Sequence, residues 1–346
     1  GGTNGRRYGG VSTVPHLRAG QLTFSELFNS AISDVVLPLT LKEVTFGTHF
    51  NQSVTDVRWP STLVRVEFGC NFNQPLVPVT WPTSLETIEF GCGFNQTMEG
   101  VRWPPRLQTI VLGQGFDQPV EGVAWPRGLQ RLALGWSFNQ PVEGVVWPEG
   151  LRAIGFSEMF NQPIEAAAFP STVQALHFGQ AFDQEVSGVR WPRGLSSLCF
   201  GCQFDHSLQN VRLPAGLRAL EMGCSWNHSL AVVELPSGLA SLTLGHTFDQ
   251  GLDDVCWPTG LARLSLGDSF NRALEETRWP SRLESIVLGD SFDQPLDRVK
   301  WPARLSHLSL GDSFDQPLDE VGWPAGLSEL LVGDLFNQSL DGIEWP

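Results

Sequence analysis

The most regular feature of the sequence is a pattern of apolar positions that returns every 22 residues. Prolines mark the pattern, because they stand at position 38 and at every twenty-second residue up to Pro346. With each proline counted as position one, the apolar positions of a coil are four, seven, nine, thirteen, seventeen, twenty and twenty-two. A fixed period of this length predicts a repeat architecture in which each coil stacks on its neighbours.

Within a coil, only positions six to nine have the alternation expected of a strand. Leu132 and Leu134, at positions seven and nine, flank a small residue, the period of two that marks a strand with one buried face. Glycine at position ten is interpreted as ending the strand in a backbone conformation that other residues resist. No segment has apolar residues at helical spacing, so we predict one short parallel strand per coil, near residues 43–46 and every 22 residues thereafter, and no helices on the convex side.

The ends of the chain differ from the regular coils. Residues 16–37 carry Leu22, Phe24 and Phe28 in register but lack the glycine and the tryptophan, so we expect a degenerate capping coil there. Residues 1–15 are expected to form a flexible lead-in, and residues 38–346 a single domain of fourteen repeats. Because Pro346 stands where a further coil would start, we also expect the chain to be one part of a larger chain or assembly.

The repeated columns, as in residues 129–148 (LQRLALGWSFNQPVEGVVWP), resemble the FNIP repeat family, a 22-residue branch of the leucine-rich repeats. The resemblance extends over residues 16–346. Tryptophan before the proline departs from the family's usual leucine, which marks a Trp-Pro subtype. The resemblance implies a mainly β, right-handed solenoid of leucine-rich-repeat type that serves as a protein-binding surface. A three-sided parallel β-helix is the alternative fold, but it needs a second and third strand per coil.

Composition and motifs narrow the function. A formal net charge of −15 argues against binding to nucleic acid, and no run of eighteen apolar residues predicts a membrane span. The sequence has none of the strong catalytic motifs, such as the P-loop, the HExxH zinc motif or the GxSxG nucleophile motif. We therefore predict a protein that is not an enzyme and has no cofactor.

Cysteine and histidine gather in one part of the repeat array. Thiolate and imidazole are ligands that zinc prefers, and the candidate ligands are Cys199, Cys202, Cys224, His177 and His246. A CxxC in an extended strand separates its sulfurs, so no metal site is predicted. Cysteines also occupy position eleven of adjacent coils, in the pairs Cys70 and Cys92 and Cys202 and Cys224. Because parallel, in-register side chains point the same way, we expect free thiols.

The outward positions six, eight and eleven vary while the core columns hardly change, so the predicted function is a scaffold that binds another macromolecule, most simply a protein, through its concave sheet face. The candidate binding residues are Arg131, Trp136, Glu158 and His177. A structural or glycan-binding surface is the alternative function. The asparagine or aspartate at position fourteen is interpreted as holding backbone amides of its own turn.

Near the C-terminus the charge becomes ordered along the repeat. Position eleven is aspartate in four successive coils, at Asp268, Asp290, Asp312 and Asp334. Neutralisation within the chain is one explanation, and the basic residues that could provide it are Arg263, Arg278, Arg282, Lys300 and Arg304. The other explanation is a docking site for a basic segment of a protein partner or for Ca²⁺. The basic segment ranks first, because calcium needs six or more converging oxygens, which a straight row of carboxylates supplies poorly.

Overall fold

A computed structural model describes residues 16–346, and the predicted lead-in of residues 1–15 lies outside them. The described chain divides into two compact units. The first contains residues 16–119 and 123–136, and the second contains residues 120–122 and 137–346. The capping coil of residues 16–37 and the single repeat domain of residues 38–346 stay predictions.

The first unit contains seven strands. They are β1 His16–Arg18, β2 Gln21–Thr23, β3 Glu43–Thr45, β4 Arg65–Glu67, β5 Thr87–Glu89, β6 Thr109–Val111 and β7 Arg131–Ala133. From β2 to β7 each strand pairs in parallel with the next, and every residue faces its equivalent 22 positions further on. Strand β1 instead pairs antiparallel with β2, across a turn in which Ala19 and Gly20 both have positive φ, as tight hairpins require. This hairpin was not predicted from the pattern of apolar positions.

The second unit contains nine parallel strands. They are β8 Ala153–Gly155, β9 Ala175–His177, β10 Ser197–Cys199, β11 Ala219–Glu221, β12 Ser241–Thr243, β13 Arg263–Ser265, β14 Ser285–Val287, β15 His307–Ser309 and β16 Glu329–Leu331. Neighbours again pair in register. Within residues 16–346 the only helical element is a 3-10 helix, Leu230–Val232. The predicted β-solenoid, with one parallel strand per coil and no convex helices, is confirmed.

Three turns close most coils through backbone hydrogen bonds between residues three apart. In the coil that begins at Pro38, Leu41 N donates to Pro38 O at 3.0 Å, and the later turns repeat this from positions ten and seventeen. The strands end at position eight, one residue earlier than predicted. The ladder still extends one bond further, because Phe46 N donates to Glu67 O at 2.9 Å in the next coil.

The core consists of columns of equivalent side chains. From Phe50 to Phe314 the position-thirteen phenylalanines are fully buried. Most of them stack on their equivalents in the next coil, as Phe72 does on Phe94 and Phe270 on Phe292 with ring centroids 6.1 Å apart. Position nine is phenylalanine in some coils of each unit, as at Phe46 and Phe178, and leucine in others, as at Leu112 and Leu288. Both units thus bury the same columns, as the pattern predicted.

Glycine at position ten is required because adjacent coils approach closely there. A Cβ atom added to Gly267 would lie 1.7 Å from Gly245 O, and one added to Gly69 would lie 2.0 Å from Gly47 O. Among the position-ten glycines of the described coils, only Gly311 has a positive φ. The expectation of an unusual backbone conformation was therefore wrong at most of these positions. Glycine is needed there because the backbone of the neighbouring coil leaves no room for a side chain.

Candidate binding grooves

The outward strand face of the second unit carries a groove of about 360 Å³ near its C-terminal end. Position-eight residues Ser265, Val287, Ser309 and Leu331 and position-eleven residues Asp268, Asp290 and Asp312 line it, together with the glycines at position ten. Val287 is 41% exposed and Leu331 is 54% exposed. The position-eight side chains form a partly apolar row on one side of the glycines, and the position-eleven aspartates form an acidic row on the other side.

The acidic row is largely uncompensated. Asp268 is hydrogen-bonded to His246 Nδ1 at 2.6 Å, whereas no ion pair in residues 16–346 involves Asp290, Asp312 or Asp334. The basic residues that the sequence suggested as partners of these aspartates do not pair with them. No ion pair among the described residues involves Arg263, Arg278, Arg282, Lys300 or Arg304. Other residues form the ion pairs of this region, since Arg272 pairs with Asp249 at 2.8 Å, Arg298 with Asp297 at 3.5 Å and His307 with Glu329 at 3.4 Å. All four position-eleven aspartates are exposed.

The first unit has a groove of about 430 Å³ at the same repeat positions. Its carboxylates include Glu67 and Glu89 in the position-eight row, and Thr48 and Cys70 lie in the position-eleven row. One guanidinium group bridges the two glutamates, because an Arg65 Nη2 atom lies 3.4 Å from Glu67 Oε2 and 3.0 Å from Glu89 Oε1. The charge of these two glutamates is therefore partly compensated within the groove.

The four candidate binding residues fall into the two units. In the first unit, Arg131 is exposed on β7 and the Trp136 side chain is 50% exposed. In the second unit, His177 is exposed on β9, while Glu158 Oε2 accepts a hydrogen bond from Gln180 N at 2.9 Å. Glu158 thus helps to hold the next coil, a role that its sequence position did not indicate. A partner-binding role for all four stays a prediction.

The position-eleven cysteines behave differently from the expectation of free thiols. Cys202 and Cys224 form a disulfide, with Cα atoms 4.2 Å apart, so the expectation was wrong for this pair. The reason is the short spacing of adjacent coils, which brings parallel side chains into bonding range. Cys70 and Cys92 remain free.

The candidate metal ligands are not brought together. In the part of the chain that the structure describes, no group of three or more His, Cys, Asp or Glu side chains could hold a metal ion. Cys202 and Cys224 form a disulfide with each other, and His246 forms a hydrogen bond with Asp268. Burial raises the pKa of the Cys199 thiol to about 12, and the nearby Glu221 carboxylate acts in the same direction. That thiol therefore stays protonated at neutral pH.

The amide ladder at position fourteen joins coils rather than closing its own turn. Asn51 Oδ1 accepts hydrogen bonds from Asn73 N and from Gln74 Nε2, both at 2.9 Å in the next coil. Asp293 Oδ1 does the same with Asp315 N and Gln316 Nε2. Because only an acceptor oxygen is needed, asparagine and aspartate interchange freely. The structural interpretation is supported, but the own-turn expectation was wrong, since the acceptor reaches the following coil.

Comparison with known proteins agrees with this architecture. CroV588, described as a novel circular leucine-rich-repeat protein, has 32% identity and a TM-score of 0.81, and the match covers 94% of this chain and 51% of that one. The chain thus spans about half the length of CroV588. An internalin from Listeria monocytogenes (11% identity, TM-score 0.53, 92% and 88% covered) and a chain of the Drosophila Toll–Spatzle complex (16%, 0.59, 92% and 47%) share the fold alone. No curated protein matches.

The fold defines the chain as a β-solenoid of leucine-rich-repeat type. More narrowly, the FNIP repeat family model matches residues 50–93 and 270–313, so these two stretches are similar to FNIP repeats. The tandem repeats expected from the sequence are thereby confirmed. No helix in residues 16–346 is both long enough and apolar enough to cross a membrane.

Proposed function

We propose that this chain is a non-enzymatic binding scaffold, and that the groove of its second unit holds a basic segment of a protein partner. The observation that carries the proposal is the row of exposed aspartates at position eleven, of which Asp290, Asp312 and Asp334 have no ion-pair partner within the described residues. Repeat solenoids commonly bind partners on extended surfaces of this kind.

The electrostatics of the row favour a cationic partner. Equivalent side chains on adjacent parallel strands are about 4.8 Å apart, and two unit charges at that distance repel by about 1 kcal/mol even in water. Bound guanidinium or ammonium groups would replace this repulsion by attraction. A calcium ion would need six or more oxygens converging on one point, whereas the row presents one carboxylate per coil.

The apolar row defines the rest of the partner. Val287 and Leu331 line the same groove as the aspartates and are partly exposed. An extended segment in which basic and apolar residues alternate directs its side chains to opposite sides, so it can contact both rows at once. Charge would attract and orient such a segment, and apolar contact would hold it.

The remaining candidate residues fit the same kind of function. The half-exposed Trp136 of the first unit is a suitable anchor for a partner, because buried aromatic contacts dominate many interfaces. In the second unit, His177 is available on the outward face, whereas Glu158 is already bonded to Gln180 N. We therefore expect Trp136 to contribute to binding and Glu158 to contribute to stability.

Binding of a defined peptide tests the proposal. The probe is a fluorescein-labelled peptide in which arginine alternates with valine, and its counterpart has glutamate in place of arginine. Replacing Asp268, Asp290, Asp312 and Asp334 together with asparagine should weaken binding of the arginine peptide by about fourfold to several hundredfold, because each exposed pair contributes about 0.2–1 kcal/mol. The salt dependence of the binding should also decrease.

The second unit provides a matched control for this variant. Position eighteen is a second acidic column, outside the residues that line the groove, and Glu275, Asp297, Asp319 and Asp341 belong to it. Converting these four to the corresponding amides changes the net charge by the same amount. Equal weakening by both variants would show that only net charge attracts the peptide, and unchanged binding in the groove variant would refute the proposed docking site.

A further inference from the structure

We propose that Cys70 and Cys92 form a dithiol modification site in the first unit, at which a low-molecular-weight disulfide closes a covalent bond between two adjacent coils. The proposal concerns a different unit and a different chemistry from the docking groove described above. It rests on the placement of these two thiols in the repeat and on their access to solvent.

The first observation is that the chain already contains the same bond at the same repeat position. Cys202 and Cys224 occupy position eleven of successive coils and form a disulfide, with Cα atoms 4.2 Å apart. Cys70 and Cys92 also occupy position eleven of successive coils. A repeat fold places equivalent positions in equivalent surroundings, so the free pair has the placement of the bonded pair.

The backbone around the two pairs confirms this equivalence. In the free pair, Gly93 N donates to Cys70 O at 2.6 Å, and in the bonded pair Ser225 N donates to Cys202 O at 2.8 Å. The approach is close, because a Cβ atom added to Gly93 would lie 2.6 Å from Cys70 O. Glycine after Cys92 therefore lets the two coils come at least as near to each other as they do at the bonded pair.

The two thiols are also within reach of a small reagent. Both side chains are partly exposed, and Cys70 lines the first-unit groove together with Thr48, Glu67 and Glu89. An open cavity of about 720 Å³ borders Cys70 on another side, where asparagines of the amide ladder line it. Cys199 is also partly exposed, but desolvation and the neighbouring Glu221 carboxylate raise its pKa to about 12, so the thiolate required for exchange hardly forms there.

The hydrogen bond between the two thiols assigns their roles. The Cys92 thiol donates to the Cys70 sulfur, which lowers the pKa of Cys70 and raises that of Cys92. The Cys70 thiolate attacks one sulfur of a disulfide RSSR, forming Cys70–S–S–R and releasing RS⁻. Cys92 then loses its proton to that thiolate or to water and attacks the Cys70 sulfur, releasing a second RS⁻. In total, two cysteine thiols are oxidised to one disulfide and RSSR is reduced to two RSH.

Oxidised glutathione tests this assignment on the folded chain. The experiment uses a background in which Cys202→Ser and Cys224→Ser remove the existing disulfide, and circular dichroism verifies folding. After treatment, peptide mass spectrometry should find Cys70 linked to Cys92 without retained glutathione. Cys92→Ser should instead leave glutathione attached to Cys70. Cys256, an exposed single thiol, is the internal control and should keep its glutathione.

The rate of disulfide closure in the native protein is compared with the rate in the unfolded chain. This comparison shows whether the fold, rather than chance encounter, brings the two sulfurs together. If the fold positions the two sulfurs, closure in the native protein should be at least about tenfold faster than in urea, since loop closure then costs no further entropy. Two results would overturn the proposal. One is glutathione retained on Cys70 despite an intact Cys92, and the other is equal closure rates in native and unfolded protein.

Discussion

The two grooves lie at the same positions of the repeat, but they differ in whether a basic side chain pairs with their acidic side chains. In the first unit, Glu67 and Glu89 lie at position eight, where one arginine, Arg65, bridges both. In the second unit the acidic groups lie at position eleven, and Asp290 and Asp312 have no ion-pair partner in the described coils. The core columns and the position-ten glycine are alike in both units. The difference shows that the buried columns determine the scaffold, while outward positions can change without altering it.

The largest expected effect tests the shared part of this comparison. Phe160→Ala in the second unit and Phe94→Ala in the first should each lower the free energy of unfolding by about 3–5 kcal/mol, because both rings are fully buried. Urea denaturation measures the loss, with Val146→Ala, an exposed position, as the control. Hydrogen exchange should increase in the neighbouring coils as well. Damage confined to one coil would contradict the shared core.

A smaller effect is expected where coils meet through glycine. Gly267→Ala places a methyl group against Gly245 O, and overpacking of this kind costs about 1–3 kcal/mol or more. Gly322 has no neighbouring atom within 4 Å of an added Cβ, so Gly322→Ala should be neutral or slightly stabilising. Thermal unfolding of the two variants gives the comparison. Equal stability would mean that close approach does not explain glycine at position ten.

The smallest change in stability, with a clear change in binding, is expected at Arg65. Arg65→Gln removes the bridge between Glu67 and Glu89 but costs under about 1 kcal/mol, since all three side chains are partly exposed. The first groove should then bind the arginine–valine peptide more tightly than the wild-type groove does. Fluorescence anisotropy measures this gain in the quadruple asparagine variant, where the second groove is disabled. No gain would show that local compensation does not distinguish the grooves.

The scaffold could be predicted from the sequence because each buried position recurs in every coil. The strands, the apolar columns and the solenoid follow from the alternation around Leu132 and the period of the prolines. The hairpin at His16–Arg18 was missed because Gly20 is its only clear signal. Three features depend on distances between coils: the pairing of Arg65 with two glutamates, the hydrogen bond from Gln180 N to Glu158, and the Cys202–Cys224 disulfide. A one-dimensional pattern gives the order of these residues but not those distances.

The most direct measurement of the central claim is hydrogen exchange of the intact chain with and without the arginine–valine peptide at low salt. The groove assignment predicts slower exchange in the second unit, at the strand ends and turns that contain Asp268, Asp290 and Asp312. Exchange in the first unit and in the position-eighteen turns should be unchanged. Protection that lies in the first unit, or that follows position eighteen, would contradict the assignment of the acidic groove as the docking site.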